Sequence, residues 1–145
     1  MLTRKRSQKL KNYAKEFCLK VKNDFNGKIN FKEYPRLFFF KYPGTLENGF
    51  MFNGYFNPPN KIEIYGLFSE SMETLKRITR HECLHFLLWQ NDLPYQDKNI
   101  PFILLAIKYD ARPAEIVPYL DELEKAEAAN DKTKYMEILS DIEKF

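Results

Sequence analysis

Apolar residues recur three and four positions apart at Leu10, Tyr13, Ala14, Phe17 and Val21, with lysines between them. This spacing predicts an amphipathic helix over residues 4–24, stopped by Asn26-Gly27. The pattern then changes. Ile29, Phe31 and the run Leu37-Phe38-Phe39-Phe40 are strand-like, Phe50, Phe52, Tyr55 and Phe56 flank Asn53-Gly54, and Asn57-Pro58-Pro59-Asn60 marks a turn. Lys61-Ile62-Glu63-Ile64-Tyr65 alternates polar and apolar residues. Residues 29–66 therefore predict a small antiparallel sheet of about three strands, with Phe38–Phe40 in a core strand. A central helix follows over residues 70–90, capped by Ser69 or Ser71, with Glu70 and Glu73 near its positive end. From Cys83 to Trp89 it is apolar almost all round, which places that stretch inside the protein.

Helices are predicted again over residues 100–144. Pro101 suits a first turn, Phe102, Leu104, Leu105 and Ile107 supply apolar surface, and Arg112-Pro113 breaks the run. A charged helix reaches about Ala129, and Asp131 caps a last one carrying Tyr135, Ile138, Leu139 and Ile142. The expected class is α+β: N-terminal helix, small sheet, central helix, C-terminal helices. A length of 145 residues suits one domain spanning 1–145, its last part an acidic helical extension at 114–145.

Composition narrows the function classes. With 44% hydrophobic and 30% charged residues, global disorder is excluded. Cys18 and Cys83 are the only cysteines, which excludes a disulfide framework and a multi-cysteine zinc ribbon and suits a reducing compartment. Neither a long apolar run nor a secretory signal is present, so the expectation is a cytoplasmic protein without a membrane partner. The net charge of +3 is unevenly spread: residues 1–41 carry 12 Lys/Arg against 3 Asp/Glu, while residues 121–145 carry 4 against 8. The basic N-terminal helix could meet nucleic acid, and 17 Lys against 6 Arg favours diffuse phosphate attraction over base readout.

The candidate chemistry lies in His81-Glu82-Cys83-Leu84-His85, an H-E-x-x-H pattern on the central helix. Histidines four residues apart share a helix face, so two imidazoles can reach one ion. Glu82 is placed to act as general base on a water. Both histidines of the chain fall in the motif, which random placement would produce about 0.002 times per chain. If the histidines were ordinary structural residues, Glu82 would be a costly acid at the edge of an apolar turn. A catalytic zinc needs three protein ligands. Cys83 points away from the histidine face and is expected to be a packed thiol, leaving Asp92, Asp97, Asp110 and Glu115 as candidates for the third position. The turn at Asn91-Asp92-Leu93-Pro94 lets the chain double back and favours Asp97. Tyr95 or Tyr109 could add an oxyanion donor.

From His81 to Pro113 the chain resembles the SprT-like zinc metallopeptidases, the group that includes Spartan. Tyr95-Gln96-Asp97-Lys98-Asn99-Ile100-Pro101-Phe102 matches, without a gap, the family's stretch after the motif helix. The resemblance implies a zincin-like fold and one Zn²⁺ held by His81, His85 and Asp97, with Glu82 as general base. It puts Asp97 where the family has histidine, Phe102 at the family's aromatic anchor, and Ala111-Arg112-Pro113 near its ending. It implies hydrolysis of a protein or peptide substrate, including proteins associated with nucleic acid. Two other readings share the motif: an ImmA/IrrE-type peptidase that cleaves a repressor, and a catalytically inactive zinc-stabilised module that binds DNA or a partner protein.

Overall fold

The computed structural model describes residues 2–45, 51–97, 99–111, 125, 128–133 and 137. Among the described residues, the elements with defined bounds are three helices, a three-stranded sheet and a two-stranded ladder. Helix α1 spans Leu2–Asp24, β1 Arg36–Phe39, β2 Gly44–Thr45, β3 Met51–Phe52, β4 Gly54–Asn57, β5 Lys61–Ile64, α2 Met72–Gln90 and α3 Ile100–Lys108. The expected acidic extension at 114–145 and the break at Arg112-Pro113 lie outside the described residues except at the few positions just named.

Helix α1 forms as its periodicity predicts. Leu10, Ala14, Phe17, Cys18 and Val21 make its buried stripe, while Lys5, Lys9, Lys11, Lys15 and Lys20 face solvent. It ends where Asn26 and Gly27 take φ of 53° and 78°, and the Gly27 N–H donates to the Lys22 carbonyl at 2.9 Å. Ser71, rather than Ser69, caps α2: its hydroxyl accepts from the Thr74 N–H at 3.2 Å. Helix α2 is the central element. Its buried residues run without interruption from Glu82 to Leu88, and α1, α3 and the sheet all pack around it.

The sheet departs from the all-antiparallel expectation. Its order is β1-β5-β4; β4 pairs antiparallel to β5, but β1 pairs parallel to β5, with Leu37 opposite Ile62 and Phe39 opposite Ile64. A separate short ladder joins β2 and β3 antiparallel. The chain between β1 and β5 is long enough to return to the starting edge, so β1 and β5 can run the same way. Ile62 and Ile64 are completely buried against α2, and Phe56 is buried beside them. The expectation that Phe38–Phe40 form a core strand holds only for Phe39. Strand alternation turns Phe38 and Phe40 outward, and they are 39% and 41% exposed. Arg36 and Lys61 stand over the Phe38 ring, and Phe40 stacks on Tyr65 at 4.5 Å.

Cys18 and Cys83 are both fully buried where α1 meets α2. A hydrogen bond with Cys18, then burial, hold the Cys83 thiol well above its usual range. It is the packed thiol expected from the sequence. Among the described residues no helix is long and apolar enough to cross a membrane.

Candidate metal centre

The site is assembled from one helix, one loop and one helix end. Helix α2 offers His81 and His85 on the same flank, one turn apart. Past α2 the backbone reverses at Asp92, whose φ of 56° is left-handed, and the loop that follows carries Asp97 back over the histidines. Asp97 Oδ1 lies 3.0 Å from His81 Nε2 and 2.8 Å from His85 Nε2, and the two Nε2 atoms are 3.1 Å apart. One ligand atom from each residue falls within 4.8 Å of the others, so the group could hold a metal ion. Ligand atoms about 2.0–2.1 Å from one tetrahedral ion stand roughly 3.3 Å from one another. A slight opening of the triangle would therefore admit an ion, and two imidazoles with one carboxylate suit zinc.

Both rings are aimed by backbone carbonyls. His81 Nδ1–H donates to the Ala111 carbonyl at 2.8 Å, and His85 Nδ1–H donates to the Tyr95 carbonyl. A carbonyl oxygen can only accept, so each Nδ1 carries a proton and each Nε2 is turned inward, which is how ligating histidines are held. Phe102, fully buried in the first turn of α3, stacks on His85 with centroids 4.0 Å apart and meets His81 edge-on at 4.9 Å. Phe102 thus walls both imidazoles on one side.

Glu82 is 4% exposed. The reason there is room for it is Gly54 in the edge strand β4. A Cβ at Gly54 would lie 2.9 Å from Glu82 Cγ, 3.1 Å from Glu82 Cδ and 2.9 Å from Ile78 Cγ2. We expect Gly54→Ala to push the Glu82 side chain aside and to cost about 1–3 kcal/mol of stability by overpacking. Comparing its unfolding free energy and its metal affinity with wild type checks this: stability should fall while metal affinity holds, because the atoms the new Cβ meets first belong to Glu82 and Ile78, not to a ligand.

The electrostatics follow from burial and proximity. Burial alone would push the His81 imidazolium down, but its hydrogen bond to Asp97, the charges of Glu82 and Asp97 and the Ala111 carbonyl together raise it to about 9. Burial likewise favours the neutral form of Asp97, yet the hydrogen bonds and charges of His81 and His85 hold its carboxyl well below the usual carboxylate range. Burial raises the Glu82 carboxyl; the two histidines oppose that rise and the Asp97 charge adds to it.

Of the acids weighed for the third position, Asp97 is the one among the described residues that reaches the histidines. Asp92 is exposed at the turn, Asp110 pairs with Arg80 at 3.7 Å, and Glu115 lies outside the described residues. Of the two tyrosines proposed as oxyanion donors, Tyr109 is committed elsewhere: its hydroxyl donates to Asp24 Oδ2 at 2.7 Å. Tyr95 serves the site through its carbonyl, while its ring packs edge-on against Phe56 at 6.0 Å. The bracing carbonyls of Tyr95 and Ala111 and the space left by Gly54 have no side-chain signature, and sequence reasoning missed them. Comparison with protein-family models, with curated proteins and with solved structures found no match for the chain.

Proposed function

We propose that this protein is a zinc-dependent metallopeptidase of the SprT-like kind, with a zincin-like arrangement of edge strand and motif helix. One observation carries the reading: Nε2 of His81, Nε2 of His85 and Oδ1 of Asp97 converge at 2.8–3.1 Å while Glu82 is buried one residue from His81. Zinc held by His81, His85 and Asp97 would supply a Lewis acid for the peptide carbonyl and lower the pKa of a water toward about 7. Glu82 would take a proton from the attacking water as its oxygen bonds to the peptide carbonyl carbon, and would return it to the amine as the C–N bond breaks. Its carboxyl, raised by burial, suits a group that first takes a proton and then gives it back. Tyr95 and Ala111 hold the imidazoles in the ligating orientation, and Phe102 keeps water away from one side of them.

Protein substrates held on nucleic acid suit the exposed lysines of α1, and salt would weaken such recruitment. The test is direct. Purified protein should bind one zinc ion, cleave an unstructured protein such as casein, lose that activity to a chelator, and regain it with added zinc. Stoichiometric zinc without cleavage of any offered protein would overturn the peptidase reading in favour of a zinc-stabilised binding module. No zinc uptake at all would overturn the metal centre.

A further inference from the structure

Arg80, the residue before His81 on α2, reaches two other elements. Its Nη1–H donates to the Tyr13 hydroxyl of α1 at 2.8 Å, and its Nη2–H donates to the Asp110 carbonyl at 2.9 Å. The same Nη2 lies 3.7 Å from Asp110 Oδ2. Asp110 closes α3. Its φ is 53°, its N–H donates to the Ile107 carbonyl at 3.5 Å, and the next N–H, that of Ala111, donates to the Ala106 carbonyl at 2.8 Å. These are the two bonds of a Schellman cap, a motif whose left-handed residue is usually glycine. Here an aspartate occupies it, at a steric cost that glycine would avoid. The carbonyl that follows this cap, on Ala111, is the one that aims His81.

We infer that Arg80 is a positioning residue for the metal centre: by gripping Asp110 it fixes the cap of α3 and so the Ala111 carbonyl that turns His81 Nε2 toward Asp97. The inference rests on the metal-centre reading above for its purpose, but its geometry is independent of the ion. Among the described residues, Arg80 Nε is buried without a hydrogen-bond partner. An unpaired buried donor is costly, so the bridge is poorly arranged for stability alone. The side chain is 15% exposed, and its hydrogen bonds go to Tyr13 and Asp110 rather than to a ligand atom. Arg80 reaches His81 through Asp110 and Ala111, and through Tyr13 it ties the site to α1.

The experiment uses the full chain, freed of metal, as wild type, Arg80→Ala and Arg80→Lys, each checked for folding by circular dichroism. Two quantities are read: cobalt affinity from the visible spectrum of the bound ion, and solvent exchange of the His81 Nδ1 proton in the metal-free protein by ¹⁵N-edited NMR. Arg80→Ala should bind cobalt about 10-fold more weakly, within the range seen when partners of metal ligands are removed, and its Nδ1 proton should exchange faster. Arg80→Lys should fall between the two, because an ammonium can reach Asp110 but cannot span to Tyr13 as well. If Arg80→Ala matches wild type in both readouts, the inference is overturned. Should Arg80→Ala fail to fold, Arg80→Lys decides: wild-type values in both readouts overturn the inference, and intermediate values support it. If wild type takes up no cobalt while the Nδ1 proton of the variants exchanges faster, the positioning role stands and the metal-centre reading falls.

Discussion

Glu82→Gln should keep its zinc and hydrolyse a protein substrate about 10²–10⁴-fold more slowly, the usual contribution of a positioned general base. The carboxyl of Glu82 is not among the three converging ligand atoms, so the substitution leaves the ion's grip intact. Glutamine keeps the shape that fills the space beside Gly54. It cannot take a proton from water. The variant should also escape the cost of a buried acid, so it should be no less stable than wild type. Zinc content by elemental analysis, unfolding free energy and turnover, measured together, separate these effects. Wild-type turnover in a zinc-loaded Glu82→Gln protein would remove Glu82 from the mechanism.

Asp97→Ala should have the opposite profile. Removing a ligand should lower metal affinity by more than about 100-fold, since loss of an outer partner alone costs 10–100-fold. Its effect on the metal-free protein depends on pH, and the sign can be worked out. His81 titrates at about 9 in the folded chain against 6.5 ordinarily, so its pairing with Asp97 stabilises the fold fully below about 6.5 and loses that effect as pH rises through 9. Asp97 is depressed from its ordinary 3.8, so on the acid side the pair persists down to 3.8 and is lost as pH falls further. Removing the carboxylate leaves burial as the dominant influence on His81. The metal-free variant should therefore be less stable than wild type by about 3 kcal/mol at pH 5–6, and the gap should close above pH 9. A metal ion taken up at the triangle would displace the His81 proton, so wild-type affinity should climb with pH up to about 9. Denaturant titrations of the chelated protein across this range check the first statement, and competition with a chromogenic chelator checks the second. A pH-independent stability difference would show that Asp97 and His81 do not share a proton.

How much of this was legible in the chain depends on how local each signal is. Helices α1 and α2 repeat their apolar residues within a few positions, and both were readable to within two residues of their ends. The path of Asp97 back over α2 was readable because Asn91-Asp92 and Pro94 announce a reversal. The parallel pairing of β1 with β5 was not, because strand order depends on contacts between residues 36–39 and 61–64, and either direction satisfies the same alternation. Four consecutive apolar residues at Leu37–Phe40 hid the period of two that exposes Phe38 and Phe40. The site split in the same way. His81, Glu82, His85 and Asp97 have side chains whose chemistry names them. The Tyr95 and Ala111 carbonyls are backbone atoms that every residue has, and only the tertiary path says which ones matter.

That path also orders events during synthesis. The two imidazoles emerge from the ribosome at residues 81 and 85, but the carboxylate that joins them comes at 97 and the two carbonyls that aim them come at 95 and 111. A nascent chain shorter than this holds a pair of unbraced rings on a helix whose α3 partner does not yet exist. Any capture of an ion would thus come late in synthesis, and a chain truncated before residue 111 would carry the motif but lack the carbonyl that aims His81.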